Sequence, residues 1–194
     1  LKGGTNIHGL TVVSATAGSI PKAARDHQPG KRGVLATLLA NHASCDEILA
    51  RQQAIFSSAR SGFFLIADRR QILAVEIGLG GRFAIRRAER GTLAHTNHFL
   101  EDSLADCNKT IGRSSATRLT RITHLLATTP APLDTAAFAR LSKDQQAGPD
   151  NSLWRTGKTA RTRSSWIAET PATGAPRVRG VLANPGQPEE TRTF

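Results

Sequence analysis

Three short strands joined by two tight turns constrain the fold of this chain most strongly. Residues 63–67 and 72–77 are almost entirely apolar, and residues 82–87 combine apolar side chains with arginines. The connections, 68–71 and 78–81, have four residues each, which is too short for a crossover, so neighbouring strands must be antiparallel. Because the first two strands present apolar side chains on both faces, we expect the sheet to be covered on both sides.

Helical and extended patterns precede this meander. Residues 10–16 have the composition of a strand, and residues 34–41 place apolar side chains at helical spacing. A second helix is predicted to begin at Ser44, because Ser44 and Glu47 have the spacing of a capping box, and to continue to Phe56.

The C-terminal part continues with helices and then strands. Residues 114–126 and 134–141 predict two helices, residues 143–162 are polar and irregular, and residues 164–169 and 177–183 predict a strand pair. Helices segregated from antiparallel strands indicate an α+β fold.

Length and composition limit the organisation of the chain. At 194 residues with no internal repeat, the chain is long enough for one sizeable core, so we expect a single domain over 1–194 with an exposed tail at 185–194. No apolar run approaches the roughly 18 residues that span a bilayer, so we expect a soluble protein with no membrane partner.

The net charge of +11 raises the question of a nucleic-acid partner. Residues 1–112 carry 14 basic and 9 acidic side chains, and residues 113–194 carry 12 and 6. This even spread argues against a nucleic-acid surface and favours a basic exterior without a polyanion partner. The alternative is a basic module that binds nucleic acid or an acidic partner through Arg155 to Arg163, with Trp154 and Trp166 nearby.

The two cysteines match no zinc or disulfide framework, and free thiols are favoured over a single bridge. Cys45 falls in the first turn of the predicted helix at Ser44. A helix N-terminus can lower the pKa of a thiol, but a packed helix residue is the favoured interpretation of Cys45. Cys107 falls in a polar loop-like stretch.

The segment His95-Thr96-Asn97-His98 follows the meander and leaves two interpretations open. It could be a turn in which Asn97 bonds its own backbone and the histidines lie at the surface. Alternatively, a rigid strand end holds these polar side chains toward a cleft. A zinc site is not favoured, since His95 and His98 on an extended chain point to opposite faces and no third ligand is obvious.

The order of these segments resembles the acyl-coenzyme A:6-aminopenicillanic acid acyltransferase family, also called the C45 peptidase family of Ntn hydrolases. The matching pieces run along nearly the whole chain: Gly4 to Leu10, Phe64 to Glu76, His95 to His98, Arg118 to Arg121, Asn151 to Arg155 and the closing strand pair. The resemblance implies a four-layer αββα sandwich of antiparallel sheets, of which this chain would be an incomplete version, the C-terminal two-thirds.

The resemblance also implies the chemistry and the site residues. The family hydrolyses or transfers acyl groups at linear amides and thioesters through an N-terminal Cys nucleophile, needs no cofactor, and can take acyl-coenzyme A as substrate. Asn97 corresponds to the oxyanion-hole donor and Arg155 to an active-site arginine that supports the nucleophile or a substrate carboxylate. Whether Arg155 is instead an ordinary surface arginine stays open.

The sequence departs from the family at the nucleophile. Residue 1 is Leu, and no Cys, Ser or Thr stands where the N-terminal nucleophile is expected. We therefore expect a truncated gene product, a fragment or a derived binding protein, inactive alone and partnered by the missing N-terminal segment. A sheet short of strands would leave apolar surface uncovered, which favours self-association.

Overall fold

The predicted meander forms three neighbouring strands of a five-stranded antiparallel sheet. The computed structural model describes residues 2–183 and 190–193. Its first sheet has the order β1-β2-β3-β4-β5, with every neighbouring pair antiparallel. The strands are β1 Gly3–Thr5, β2 Thr11–Ala15, β3 Gly62–Ala67, β4 Ile72–Ile77 and β5 Phe83–Ala88. The three strands of the meander are confirmed.

Strand β1 lies outside the segments for which the sequence predicted a strand. The helix α2 (Val34–Asn41) lies against this strand, and a Cβ atom at Gly4 would come within 2.8 Å of Leu39 Cδ1. Glycine therefore allows the strand to approach the helix closely, and a larger residue at this position would require the Leu39 side chain to shift.

Short helices cover one face of this sheet. Besides α2, they are α3 Cys45–Ala50 and α4 Gln52–Phe56, whereas α1 (Lys22–Asp26) has no buried residue. Leu38, Ile48 and Phe56 from three of these helices belong to one buried cluster with Val75 and other β-strand residues. The single helix predicted from Ser44 to Phe56 is in fact two, because Arg51 leaves helical geometry at φ −119° and ψ 11°.

A second buried cluster covers the opposite face of the sheet. It contains Phe63 of β3 together with Phe99, Leu104 and Cys107, the last two from the 3-10 helix Asp102–Cys107. Side chains alternate along a strand, so Phe63 points away from the cluster that its neighbour Phe64 joins. The expectation of a sheet covered on both sides is confirmed.

The first sheet belongs to a compact unit formed by residues 1–112 and 170–176, and a second unit comprises residues 113–169 and 177–194. In the second unit the helices and the strand pair predicted from the sequence are present. Its elements are α5 Arg113–Thr128, α6 Thr135–Ser142, α7 Gly148–Asn151, β6 Ser164–Glu169, β7 Arg177–Leu182 and β8 Glu190–Thr193. The three strands form an antiparallel sheet in the order β6-β7-β8.

The predicted tail falls partly on residues that the structure does not describe. Positions 185–189 and 194 lie outside the described residues, whereas residues 190–193 form β8 and are all exposed. Within the described ranges, no helix combines the length and the apolar character needed to cross a bilayer. Helices with antiparallel sheets agree with the α+β class.

The capping box at Ser44 yields a stability prediction. Ser44 Oγ accepts a hydrogen bond from the backbone N–H of Glu47 at 3.3 Å, and Glu47 Oε2 accepts one from the N–H of Ala43 at 2.8 Å. We expect Ser44→Ala to lower the free energy of unfolding in urea by about 1 kcal/mol, since an N-terminal donor of α3 loses its acceptor. The control is Ser103→Ala, an exposed serine; equal losses for the two variants would contradict a capping role.

Candidate functional site

Glu76 is a buried carboxylate in the middle of an apolar environment. It lies on β4 and is 1% exposed. Its Oε1 atom is 2.9 Å from His95 Nε2 and accepts the backbone N–H of Leu100 at 2.8 Å, while Oε2 accepts the N–H of Glu101 at 3.2 Å. A buried charge is tolerated only when hydrogen-bonded and paired, so these three partners stabilise the carboxylate in place.

His95 lies on the same face of the sheet as Glu76. Phe63 is the direct cross-strand neighbour of Glu76 in the β3–β4 register, which places both side chains on one face. The ring of His95 packs on the ring of Phe63 with centroids 4.3 Å apart, and its side chain is only 3% exposed. His98 is also buried. The interpretation of this segment as a turn with surface histidines is therefore wrong.

Asn97 is held against the loop that follows β2. Its Nδ2 atom donates to the backbone carbonyl of Thr16 at 3.0 Å, and the backbone carbonyl of Asn97 accepts the N–H of Ser19 at 3.1 Å. A Cβ atom at Gly18 would lie 3.2 Å from Asn97 Cβ, so glycine permits this close approach. Asn97 is half-buried, and its carboxamide has a defined position.

A third anchor holds the far end of this segment. The side chain of Asn108 bonds the backbone of Phe99 twice, accepting its N–H at 2.9 Å and donating to its carbonyl at 3.0 Å. Together with the bonds at Glu76 and Thr16, this makes the segment 95–101 rigid. Rigidity of this kind is what a positioned hydrogen-bond donor requires.

Arg155 belongs to the second unit and follows α7. Its N–H donates to Thr162 Oγ1 at 2.9 Å, and its carbonyl accepts the N–H of Thr162 at 2.9 Å. The side chain is half-buried, and its Nε atom is buried with no hydrogen-bond partner among the described residues. All the guanidinium nitrogens of an ordinary surface arginine would be in contact with water. The buried Nε atom of Arg155 sets it apart from such a residue.

Arg118 is a second guanidinium near Arg155. It lies on α5, and its Nε donates to Ser114 Oγ at 3.4 Å. Burial lowers the pKa of Arg118, and the positive charge of Arg155 lowers it further. Both causes indicate that Arg118 is desolvated and close to a second positive charge, and a bound anion would reduce the repulsion between the two.

Neither cysteine side chain is exposed in the folded protein. Both are free and fully buried. Burial raises the pKa of the Cys45 thiol far above its usual range, and the negative charge of Asp68 adds to this effect. The interpretation of Cys45 as a packed helix residue is confirmed, since it belongs to the core cluster under α3.

Trp154 was predicted to contribute to an aromatic and basic surface, but its ring is 6% exposed. Lys143 Nζ lies 5.6 Å from the centroid of this ring. A buried ring cannot stack on nucleic-acid bases, so Trp154 is not available to the predicted aromatic and basic surface. Binding of nucleic acid or an acidic partner otherwise stays a prediction, as does self-association.

Sequence reasoning missed the role of Glu76. The available signal was a single charged residue inside the apolar strand 72–77, where a carboxylate requires partners. Thr16, Gly18 and Asn108 gave no comparable signal, because their contacts come from distant parts of the chain. Among the residues that the structure describes, no group of three or more His, Cys, Asp or Glu side chains could hold a metal ion.

Comparison with known families places these residues in context. A family model described as "Acyl-coenzyme A:6-aminopenicillanic acid acyl-transferase" matches residues 1–186 of the chain. The match includes Glu76, Asn97 and Arg155, and confirms the resemblance found in the sequence. A comparison with curated proteins found no match.

The buried thiols yield a prediction on reactivity. With Cys107 replaced by Ser, we expect Cys45 to stay unreactive toward a chromogenic disulfide reagent from about pH 7 to about pH 9, a range in which an ordinary thiol ionises progressively. Its raised pKa keeps it protonated, and burial excludes the reagent. The control is the same variant in concentrated guanidinium chloride, where the thiol should react at once. Rapid reaction in the folded protein would contradict the burial of Cys45.

Proposed function

The chain belongs to the acyl-coenzyme A:6-aminopenicillanic acid acyltransferase family, and from this premise we propose that it carries part of the active site of an amide hydrolase or acyltransferase. The proposal includes the incomplete four-layer αββα Ntn-hydrolase sandwich. What supports it is that each unit contains helices and an antiparallel sheet of its own. The substrate is a linear amide or a thioester, with acyl-coenzyme A as a candidate acyl donor and no cofactor required.

Asn97 is proposed as the donor that stabilises the oxyanion of the acyl intermediate. The observation that carries the proposal is the defined, half-buried position of its carboxamide on the Thr16 carbonyl. A donor fixed before the reaction loses little reorganisation energy when negative charge develops on the substrate oxygen. Removal of one such donor costs about 3–4 kcal/mol of transition-state stabilisation in comparable sites.

Arg155 is proposed to bind an anionic group of the substrate, such as a carboxylate. Its Nε atom is buried and has no partner among the described side chains, and the nearby Arg118 adds a second positive charge. A carboxylate would accept hydrogen bonds from a guanidinium in a planar, two-point arrangement and would offset the repulsion between the two cations.

The proposal places the nucleophile outside residues 1–194, because Cys45 and Cys107 are both buried. In the family's mechanism, the sulfur of an N-terminal Cys forms a bond to the acyl carbon while its α-amine takes the thiol proton. The bond from the acyl carbon to nitrogen, or to the thioester sulfur, then breaks, and the leaving group takes the proton. Water or an acceptor amine finally releases the acyl group from the enzyme. Because the proposed nucleophile is not among residues 1–194, this chain alone should have no turnover.

The role of Asn97 can be tested in a protein fused to an upstream segment bearing Gly-Cys. With penicillin V and N-acyl amino acids as substrates, we expect the fused protein to release acid and amine. Asn97→Ala should lower kcat roughly 100- to 1,000-fold with little change in KM, because the lost bond forms in the transition state. Asn41→Ala is the control, since Asn41 is exposed. A fused protein that releases neither product, or an Asn97→Ala variant with unchanged kcat, would contradict the assignment.

The role of Arg155 predicts a dependence on substrate charge. In the same fused protein, Arg155→Ala should raise KM for a carboxylate-bearing amide roughly 10- to 100-fold, as expected for the loss of hydrogen bonds to a charged group. The corresponding methyl ester should bind the variant and the parent protein equally well. Arg163→Ala, which removes an exposed arginine, is the control for net charge. Equal losses for acid and ester would exclude carboxylate binding by Arg155.

A further inference from the structure

We propose that Glu76 and His95 form a buried hydrogen-bonded pair whose role is to position Asn97. Neither residue has a role in the mechanism proposed above, yet both are almost fully buried and they contact each other directly. The inference deepens the proposed function and rests on the part it gives to Asn97. Both residues act through the backbone of the segment 95–101, so they are positioning residues.

The hydrogen bonds of Glu76 occupy both oxygens of its side chain. The backbone N–H groups of Leu100 and Glu101 can only donate, and they bond different oxygens of the carboxyl group. His95 approaches the first of these oxygens at 2.9 Å. The side chain of Glu76 therefore holds three residues of the segment 95–101 at once.

Both nitrogens of the His95 ring have partners. Nε2 faces the Glu76 carboxyl group at 2.9 Å, and Nδ1 is 3.1 Å from the backbone carbonyl of Thr96. The ring is therefore fixed at both nitrogens, and its contact with Glu76 links the start of the segment 95–101 to β4.

The pair clips the segment on both sides of Asn97. The ring of His95 is fixed two residues before Asn97, and the N–H groups of Leu100 and Glu101 are fixed three and four residues after it. All of these bonds end on the single side chain of Glu76. Because Glu76 fixes residues on both sides of Asn97, the loop between them is held in the conformation in which the carboxamide of Asn97 bonds Thr16.

Other charged groups in this region leave the pair undisturbed. The side chain of Glu101 turns toward Arg86, with its Oε1 atom 3.0 Å from Arg86 Nε, so it does not compete for His95. His98 has its Nδ1 atom 3.4 Å from Thr96 Oγ1. On its other side the ring of His95 packs against the apolar ring of Phe63.

This arrangement provides a matched pair of variants. Glu76→Gln preserves size but removes the charge and brings an NH₂ group against backbone donors. Glu101→Gln removes the same charge from a neighbouring carboxylate, yet its backbone N–H remains to bond Glu76. A general effect of charge or of surface structure would therefore appear in both variants, and a positioning effect only in the first.

The first test is nitrogen-15 NMR of the histidine rings and the asparagine side chains in the full chain at neutral pH. In the unmodified protein we expect the ring proton shared by His95 Nε2 and Glu76 to be protected from exchange with water. The ring signals of His95 and the NH₂ signals of Asn97 should shift or broaden in Glu76→Gln and stay unchanged in Glu101→Gln. A His95 ring that exchanges freely in the unmodified protein would overturn the proposal, and this measurement needs no variant to fold and no catalytic turnover.

The second test is kinetic and uses the protein fused to the Gly-Cys segment. Glu76→Gln should lower kcat roughly 10- to 100-fold with little change in KM, since a misplaced donor loses its alignment. Combining it with Asn97→Ala should add little, because both changes remove one interaction. If Glu76→Gln changes neither the NH₂ signals of Asn97 nor kcat, the positioning role is overturned. If Asn97→Ala has no effect while the NMR result is as expected, the oxyanion role fails and the positioning by Glu76 stands.

Discussion

The structure of the first unit depends on the burial of one carboxylate. Glu76 lies between Val75 and Ile77 on a strand that is covered on both faces, so water cannot solvate its charge. The polar partners that it needs come from a segment about twenty residues later, which must fold back across β4 to supply them. The position of the segment around Asn97 is therefore a consequence of satisfying Glu76.

The two faces of the sheet have different tasks. One face packs against α2, α3 and α4 and forms the larger apolar core, which includes Cys45. The other face carries Phe63, Glu76 and His95, and is covered by the segment that contains Asn97. Alternation along β3 and β4 thus separates a structural thiol from the polar site, although both are buried against the same strands.

The second unit makes its contribution by a different physical route. Where Glu76 is neutralised by donors from its own unit, Arg155 has a buried Nε atom for which the described residues offer no acceptor. Arg118 is desolvated nearby and feels the repulsion of Arg155. A buried guanidinium nitrogen without an acceptor among the described residues is suited to an anion from outside, which is the role proposed for Arg155.

Local pattern was sufficient for much of the fold. The apolar runs and the four-residue turns predicted the meander, the spacing of apolar residues predicted α2 over 34–41, and the S-x-x-E spacing predicted the start of α3. Each of these features depends on residues near one another in sequence. The pairing of β1 was not predicted, because it depends on β2 and on the close approach of α2 at Gly4, and the interruption at Arg51 was missed as well.

For the site, the sequence by itself determined which residue types follow the meander, and the family resemblance singled out Asn97 and Arg155. Only the tertiary structure decided that Glu76 bonds His95, Leu100 and Glu101, and that Thr16 holds the carboxamide of Asn97. Hydrogen bonds between groups 19 to 81 positions apart leave no periodic trace in a sequence. They exist because burial removes water from polar groups, which must then find partners wherever the fold brings them.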